Sequence, residues 1–212
     1  MTSSISSSDT PSPLALRRWL VVSAVVAGGG IAFLSVVFLL IDPYDCGPFR
    51  AMIRAAMGNT DQSTTVGWVP LFHDMGLVMN VMQPLFNGAH SILMPPAAFM
   101  QRPLSWLRAI STYRAEVTCA PNFAFELCAA RYRPEQMDGI DLSCLRVALN
   151  GAEPVHPPTI ARFAAAFAAY GFDPAAMHPG YGLAEATLLV TGAGRGDGPA
   201  RRTWSRHPLS SR

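Results

Sequence analysis

The sequence contains no lysine: all 16 basic residues among its 212 are arginine. That absence excludes the phosphate-loop lysine of Walker-type nucleotide sites, the Schiff-base lysine of pyridoxal enzymes and a Ser-Lys nucleophile pair. Charge of either sign is scarce, at 14% of residues, while 50% are apolar and mean hydropathy is +0.24, so the chain as a whole is not a solvated, disordered polymer. It is long enough for one α/β domain and too short for two large ones. The four cysteines, Cys46, Cys119, Cys128 and Cys144, have no short paired spacing, which argues for reduced, buried thiols and against zinc or a disulfide framework.

The charge is unevenly spread. Residues 42–192 hold nine Arg against twelve Asp and Glu, and the tail from 193 holds five Arg against Asp197 alone. A slightly acidic body with a basic tail, short of interleaved aromatics, offers no nucleic-acid face.

Residues 1–18 are rich in Ser, Thr and Pro and cannot bury apolar surface, so disorder is expected there. Trp19 to Ile41 then runs 23 residues without a charge. As a helix it would extend about 35 Å, enough for a hydrocarbon core of about 30 Å. A single membrane span is the expected reading, with a buried core segment as the alternative that the Gly28-Gly29-Gly30 run favours. The localisation expected is therefore membrane if these residues span, and cytoplasmic otherwise. Arg17 and Arg18 on one side balance Arg50 and Arg54 on the other, so charge sets no orientation.

From Phe49 to Gly192 short apolar runs alternate with amphipathic ones. Strands are expected at Thr65 to Val69, Ser91 to Met94, Glu116 to Cys119, Leu145 to Leu149 and Met177 to Pro179. Helices are expected at Phe49 to Met57, Met75 to Phe86, Pro103 to Tyr113, Asn122 to Tyr132 and Pro158 to Tyr170, and a short one around Glu185. Such alternation predicts βαβ units and an α/β fold with a doubly wound parallel sheet. Residues 193–212 lack periodicity and are expected to be disordered.

Ligands of open parallel sheets bind beyond the carboxyl ends of the strands. The residues that follow the strands here are His73 and Asp74; Asn122; Gly151, Ala152, Glu153 and Pro154; and Tyr181, Gly182, Leu183 and Glu185. Glycines admit a ligand's close approach, Tyr can cover a base and a carboxylate can take Mg2+, so a nucleotide or acyl-nucleotide site is plausible chemistry. Each residue also has a plain reading. Asp74 suits the N-cap of a helix starting at Met75, His73 a hydrogen-bonded loop position, Glu153 a turn, and Glu185 the positive end of a helix.

At these positions the sequence resembles the fatty-acyl-AMP ligases of the adenylate-forming superfamily. The matching stretches are VGWVPLFHDMGLV (Val66 to Val78), Gln83 to Ala115, PNFAFELC (Pro121 to Cys128), LNGAEPV (Leu149 to Val155) and YGLAEATLLVTG (Tyr181 to Gly192). The resemblance implies ATP-dependent activation of a fatty acid to an acyl-adenylate for transfer to an acyl carrier protein or polyketide synthase, with ATP and Mg2+ as cofactors. It assigns His73, with Asp74, to the reacting carboxylate. It assigns Gly151, Ala152, Glu153, Pro154, Tyr181, Gly182 and Leu183 to the adenylate, Asn122 and Phe123 to the acyl channel, and Glu185 to the metal. A Ser/Thr/Gly-rich phosphate loop is expected upstream and an α-phosphate lysine downstream, and neither occurs in these residues. The chain is therefore expected to be an internal part of such a ligase, inactive as it stands, or else a membrane-anchored acyl- or nucleotide-binding module without catalysis.

Overall fold

The computed structural model describes residues 47–184, 188–192 and 198–199. Helix α1 (Gly47–Met57) precedes strand β1 (Thr64–Gly67). A continuous helical stretch follows: α2 (Asp74–Leu77), a π-helical turn (Val78–Met82) and α3 (Gln83–Asn87). Strand β2 (His90–Leu93), helices α4 (Pro96–Gln101) and α5 (Leu104–Thr112), strand β3 (Val117–Pro121) and helix α6 (Asn122–Ala130) come next. Strand β4 (Val147–Gly151), helix α7 (Pro157–Phe167) and the pair β5 (Met177–Leu183) and β6 (Leu188–Gly192) complete the order.

The sheet runs β2-β1-β3-β4-β5-β6. Its first five strands are parallel, and β6 returns antiparallel to β5, with Leu183 opposite Leu188. The chain moves one way from β1 to β2 and the other way thereafter. Right-handed crossovers therefore put α2 and α3 on one face and α4 to α7 on the opposite one, as doubly wound sheets require. The switch point lies between β1 and β3. There the loop carrying His73 departs toward one face and α6 toward the other, which opens a crevice at the strand ends.

Burial explains the elements. β3 and β4 are almost wholly buried, as strands covered on both faces must be. In α5, Leu104, Trp106, Leu107 and Ile110 form the buried stripe, and in α7 Ile160, Phe163 and Phe167 do. Trp106 at the centre donates its indole N–H to Thr118 Oγ1 at 3.0 Å, and that hydroxyl donates to the Val66 carbonyl at 2.7 Å, joining α5, β3 and β1. Trp68 stacks on Phe99 with ring centroids 3.8 Å apart. Cys119, Cys128 and Cys144 are free and buried, and burial pushes the Cys119 thiol up to about 12 and the Cys128 thiol up as well.

Several expectations need correction. The sheet is mixed, because β6 (Leu188–Gly192), a strand that was not expected, pairs antiparallel with β5. Strand β5 also continues four residues past Pro179. The helix expected from Pro103 occurs as α5, and a further helix, α4, precedes it where none was expected, since Pro95 and Pro96 fit a helix start. Among the described residues no helix is long and apolar enough to cross a membrane. The Trp19 to Ile41 run lies outside the described residues, as do Cys46 and Glu185.

Candidate functional site

A cleft of about 220 Å3 opens at the carboxyl ends of β1, β4 and β5. His73, Asp74 and Met75 line one side, Gly151 and Ala152 the floor, and Tyr181 and Gly182 the other side. The wall is closed by Leu188 and Leu189 of β6, which the sequence reading did not anticipate. An apolar, β-branched run (Leu188 to Thr191) after a Gly-rich strand was the available signal.

His73 is fixed by its backbone before its ring is considered. Its N–H donates to the Pro70 carbonyl at 3.0 Å, and its own carbonyl accepts the Leu77 N–H at 2.9 Å. It is the N-cap of α2, one residue earlier than the cap expected at Asp74. Nδ1 lies 3.1 Å from the Met75 amide and 2.7 Å from Asp74 Oδ1, which itself accepts the Met75 N–H at 2.7 Å. A neutral Nδ1 lone pair facing a carboxylate at that distance would be repelled. The set is self-consistent when Nδ1 carries the proton and donates to Asp74, with the Met75 amide shared toward the same oxygen. Nε2 is then the acceptor of the ring. Gly76 permits this tight turn, because a side chain there would meet the Val69 carbonyl oxygen at 2.6 Å.

The floor depends on glycine for a similar reason. A methyl on Gly151 would sit 2.7 Å from the Gly180 carbonyl oxygen. Pro179, which has no N–H to donate, is the last residue of the β4–β5 ladder, opposite Asn150. Ala152 follows with φ +64°, a left-handed conformation that costs an L-residue about 1–2 kcal/mol. Tyr181 is 63% exposed, so a ring face is open to a ligand.

The remaining sequence candidates fall elsewhere. Glu153 turns away from the cleft, and its Oε1 accepts the Phe123 N–H at 2.6 Å, capping the amino end of α6 from 30 residues away. Asn122 is buried. Its Oδ1 accepts from Asn150 Nδ2 at 3.3 Å and from the His156 N–H at 3.1 Å, while its Nδ2 donates to Thr159 Oγ1 at 3.4 Å. Thr159 donates on to Glu126, which is bridged to Arg162; these bonds hold the Glu126 carboxyl below its ordinary value, the Arg162 bond most. Phe123 lies edge-on to Trp68 with centroids 6.1 Å apart, in an aromatic cluster beside the cleft. Pro154 and Leu183 do not line the cleft. Asn150 Oδ1 is buried without a hydrogen-bond partner among the described residues.

A flat heteroaromatic ligand suits a wall of glycine backbone and exposed Tyr ring. Among the described residues Asp74 is the one carboxylate lining the cleft, and no three metal-ligating side chains converge. A Mg2+ ion ordinarily takes one or two carboxylates together with phosphate oxygens, a role that Asp74 can share with a bound nucleotide.

Comparison with known proteins was made on this geometry. A family model described as AMP-binding enzyme matches residues 47–208. The medium-chain-fatty-acid–acyl-carrier-protein ligase JamA of Moorena producens (strain JHB) is 49% identical over 139 residues, 66% of this chain and 24% of that protein. A 4-hydroxyphenylalkanoate adenylyltransferase of Mycobacterium tuberculosis (strain ATCC 25618 / H37Rv) is 43% identical over 148 residues, 70% of this chain and 24% of its own length. The crystal structure of a fatty acyl-adenylate ligase from L. pneumophila, in complex with acyl adenylate and pyrophosphate, superposes with a TM-score of 0.69 at 42% identity. That match covers 71% of this chain and 27% of that one. The chain thus spans about a quarter of the length of the relatives it matches.

Proposed function

This chain belongs to the AMP-binding enzyme family, and on that premise we propose that its cleft holds the adenylate of a fatty-acyl-AMP. In the reaction that such a site serves in a complete ligase, a fatty carboxylate attacks the α-phosphorus of ATP and pyrophosphate leaves, and a carrier-protein thiol then takes the acyl group with release of AMP. The observation that carries this reading is the cleft itself, where the Gly151–Ala152 floor, the Tyr181 ring and the His73–Asp74 pair face one space. Tyr181 covers the base, and Gly151 and Ala152 present backbone to its edge. His73, held by Asp74, offers Nε2 at the mouth where the two substrates would meet. Phe123, edge-on to Trp68, borders the acyl side in this reading, and Asn122 supports it from the buried network behind.

We assign binding to residues 49–192 and not turnover. Stabilising charge that develops on the phosphorus oxygens is the largest part of such catalysis, with each lost donor worth about 10²-fold or more. The 212 residues offer no lysine for the task. If the uncharged run from Trp19 to Ile41 spans a bilayer, this module is held at a membrane.

Titration calorimetry of the chain with AMP and with a non-hydrolysable acyl-adenylate analogue tests the reading. Binding of the analogue is expected, weakened by about 2- to 12-fold in Tyr181→Ala through loss of aromatic stacking. Acyl-dependent exchange of pyrophosphate into ATP is expected to be undetectable. Absence of analogue binding at millimolar concentration overturns the site, and robust exchange overturns the assignment of binding without turnover.

A further inference from the structure

A second concavity lies away from the cleft, a groove of about 580 Å3 between α4, the start of α5 and the chain following α6. Arg102, Arg108, Arg131 and Arg133 line it together with Gln101 and Gln136. Four of the nine arginines between residues 42 and 192 are gathered there, in a stretch where carboxylates outnumber arginines twelve to nine. Of the other arginines with described side chains, Arg114 pairs with Asp141 and Arg162 with Glu126, each at 2.6 Å, while Arg54 and Arg146 stand singly, so the groove is where unpaired arginines are gathered. None of the four groove arginines has a carboxylate within ion-pair distance among the described residues.

Two of the four also serve the fold. Arg108 donates to the carbonyls of Gln136 at 2.6 Å and Asp138 at 3.3 Å, and Arg131 donates to the Met100 carbonyl at 3.4 Å. Carbonyls satisfy hydrogen bonds but leave the positive charge uncancelled. Arg133 reaches only its neighbour's carbonyl, at 2.8 Å from Tyr132 O, and the Arg102 guanidinium has no partner among the described residues. Charge left unmatched on an otherwise acidic body is a feature that a partner, not the fold, makes use of.

We propose that this groove docks an acidic protein segment, a helix presenting a row of carboxylates. Guanidinium forks match carboxylates two bonds at a time, and glutamates at i, i+3 and i+4 stand about 5–6 Å apart along one helix face, a spacing that an arginine-lined groove can follow. A single phosphate-sized anion would leave most of a 580 Å3 groove unfilled. The inference is independent of the acyl-adenylate reading, because no groove residue lines the cleft.

The test uses the full chain and a fluorescent peptide of about 20 residues, long enough to hold a helix, with glutamate at every third or fourth position. Anisotropy is expected to show saturable binding that weakens several-fold between about 50 and about 200 mM salt. Arg102→Glu/Arg133→Glu is expected to lose at least about tenfold in affinity, with an unchanged circular dichroism spectrum. Arg102→Gln/Arg133→Gln should lose less and keeps the test readable if the reversed pair misfolds. Arg146→Glu, the same charge change at an exposed arginine outside the groove, should shift affinity by less than about twofold. The proposal is overturned if the peptide does not bind, if Arg146→Glu costs as much as the groove pair, or if inorganic tripolyphosphate or a single-stranded oligonucleotide binds the groove more tightly than the peptide.

Discussion

Replacing Gly151 by alanine probes the cleft floor and the central sheet at once. The added methyl would lie 2.7 Å from the Gly180 carbonyl oxygen and 3.6 Å from its carbon. An unstrained carbon–oxygen contact is about 3.3 Å, so the two strand ends must part by roughly 0.6 Å. Neither group can rotate away, because both are main chain on inner strands paired from Ala148 opposite Met177 to Asn150 opposite Pro179. Overpacking of this kind costs about 1–3 kcal/mol. A domain of this size loses about 2–4 °C of Tm per kcal/mol, so thermal circular dichroism should record a fall of about 2–12 °C. Both residues line the cleft, so affinity for the acyl-adenylate analogue should fall in parallel. Gly139→Ala separates steric from conformational cost: Gly139 has φ +68° with nothing within 4 Å of the added methyl. That change should cost about 1–2 kcal/mol through backbone strain alone and leave ligand binding untouched. A Gly151→Ala protein with Tm within about 1 °C of wild type would refute the reasoning, since the strand ends would then have room that the geometry denies them.

Three further outcomes are expected. Glu153→Gln removes the anion that caps α6 through the Phe123 N–H, and the urea midpoint should correspond to a loss of about 0.5–1 kcal/mol; an unchanged midpoint would show the cap to be idle. Asp141 is held down to about 2, first by the Ser143 amide, then by the Ser143 hydroxyl and Arg114. Its folded value lies below the unfolded value of about 3.9, so its stabilisation is complete above that pH and disappears as pH falls toward 2. Asp141→Asn should therefore be less stable than wild type at pH 6, with the difference shrinking as pH falls through about 2, whereas a pH-independent difference would point to packing instead. If Trp19 to Ile41 spans a bilayer, Asp at both Ala27 and Val36 should release the chain on alkaline carbonate washing, since each mid-bilayer charge costs about 3 kcal/mol. Retention of that variant would argue against a span.

The parallel part of the sheet was legible because apolar runs of four or five residues alternate with helices such as α7, whose Ile160, Phe163 and Phe167 stripe has one period and no competitor. β6 was not legible, because Leu188 to Gly192 is a short apolar run without alternation, and what makes it a strand is its pairing with β5. Helix α4 was missed because Pro95-Pro96, which starts it, also reads as a turn directly after β2. His73, Gly151 and Tyr181 could be placed together from sequence because strand ends of one sheet share an edge. The role of Glu153 could not, since its partner amide at Phe123 is brought near by a crossover and by no spacing rule. The Asn122, Asn150 and Thr159 network escaped notice in the same way, each member reading alone as an ordinary turn or helix residue.

The π-helical turn at Val78–Met82 bears on which insertions and deletions this helix can survive. In a regular α-helix one added or removed residue rotates everything beyond it by about 100°. Such a rotation would swing Gln83 and Asn87, buried at 1% and 7% exposure, out of their places under the sheet or turn His73 off the cleft at the other end. A wide turn stores one residue more than its neighbours, so a deletion within residues 78–82 can be absorbed by reverting to α-helical winding while both flanks keep their alignment. Asn80, whose carboxamide oxygen accepts from the Cys119 thiol at 3.3 Å, is the contact at stake. Length variation in this helix should therefore be confined to these five positions, and a one-residue change anywhere else along it should separate the His73 end from the core it is anchored to.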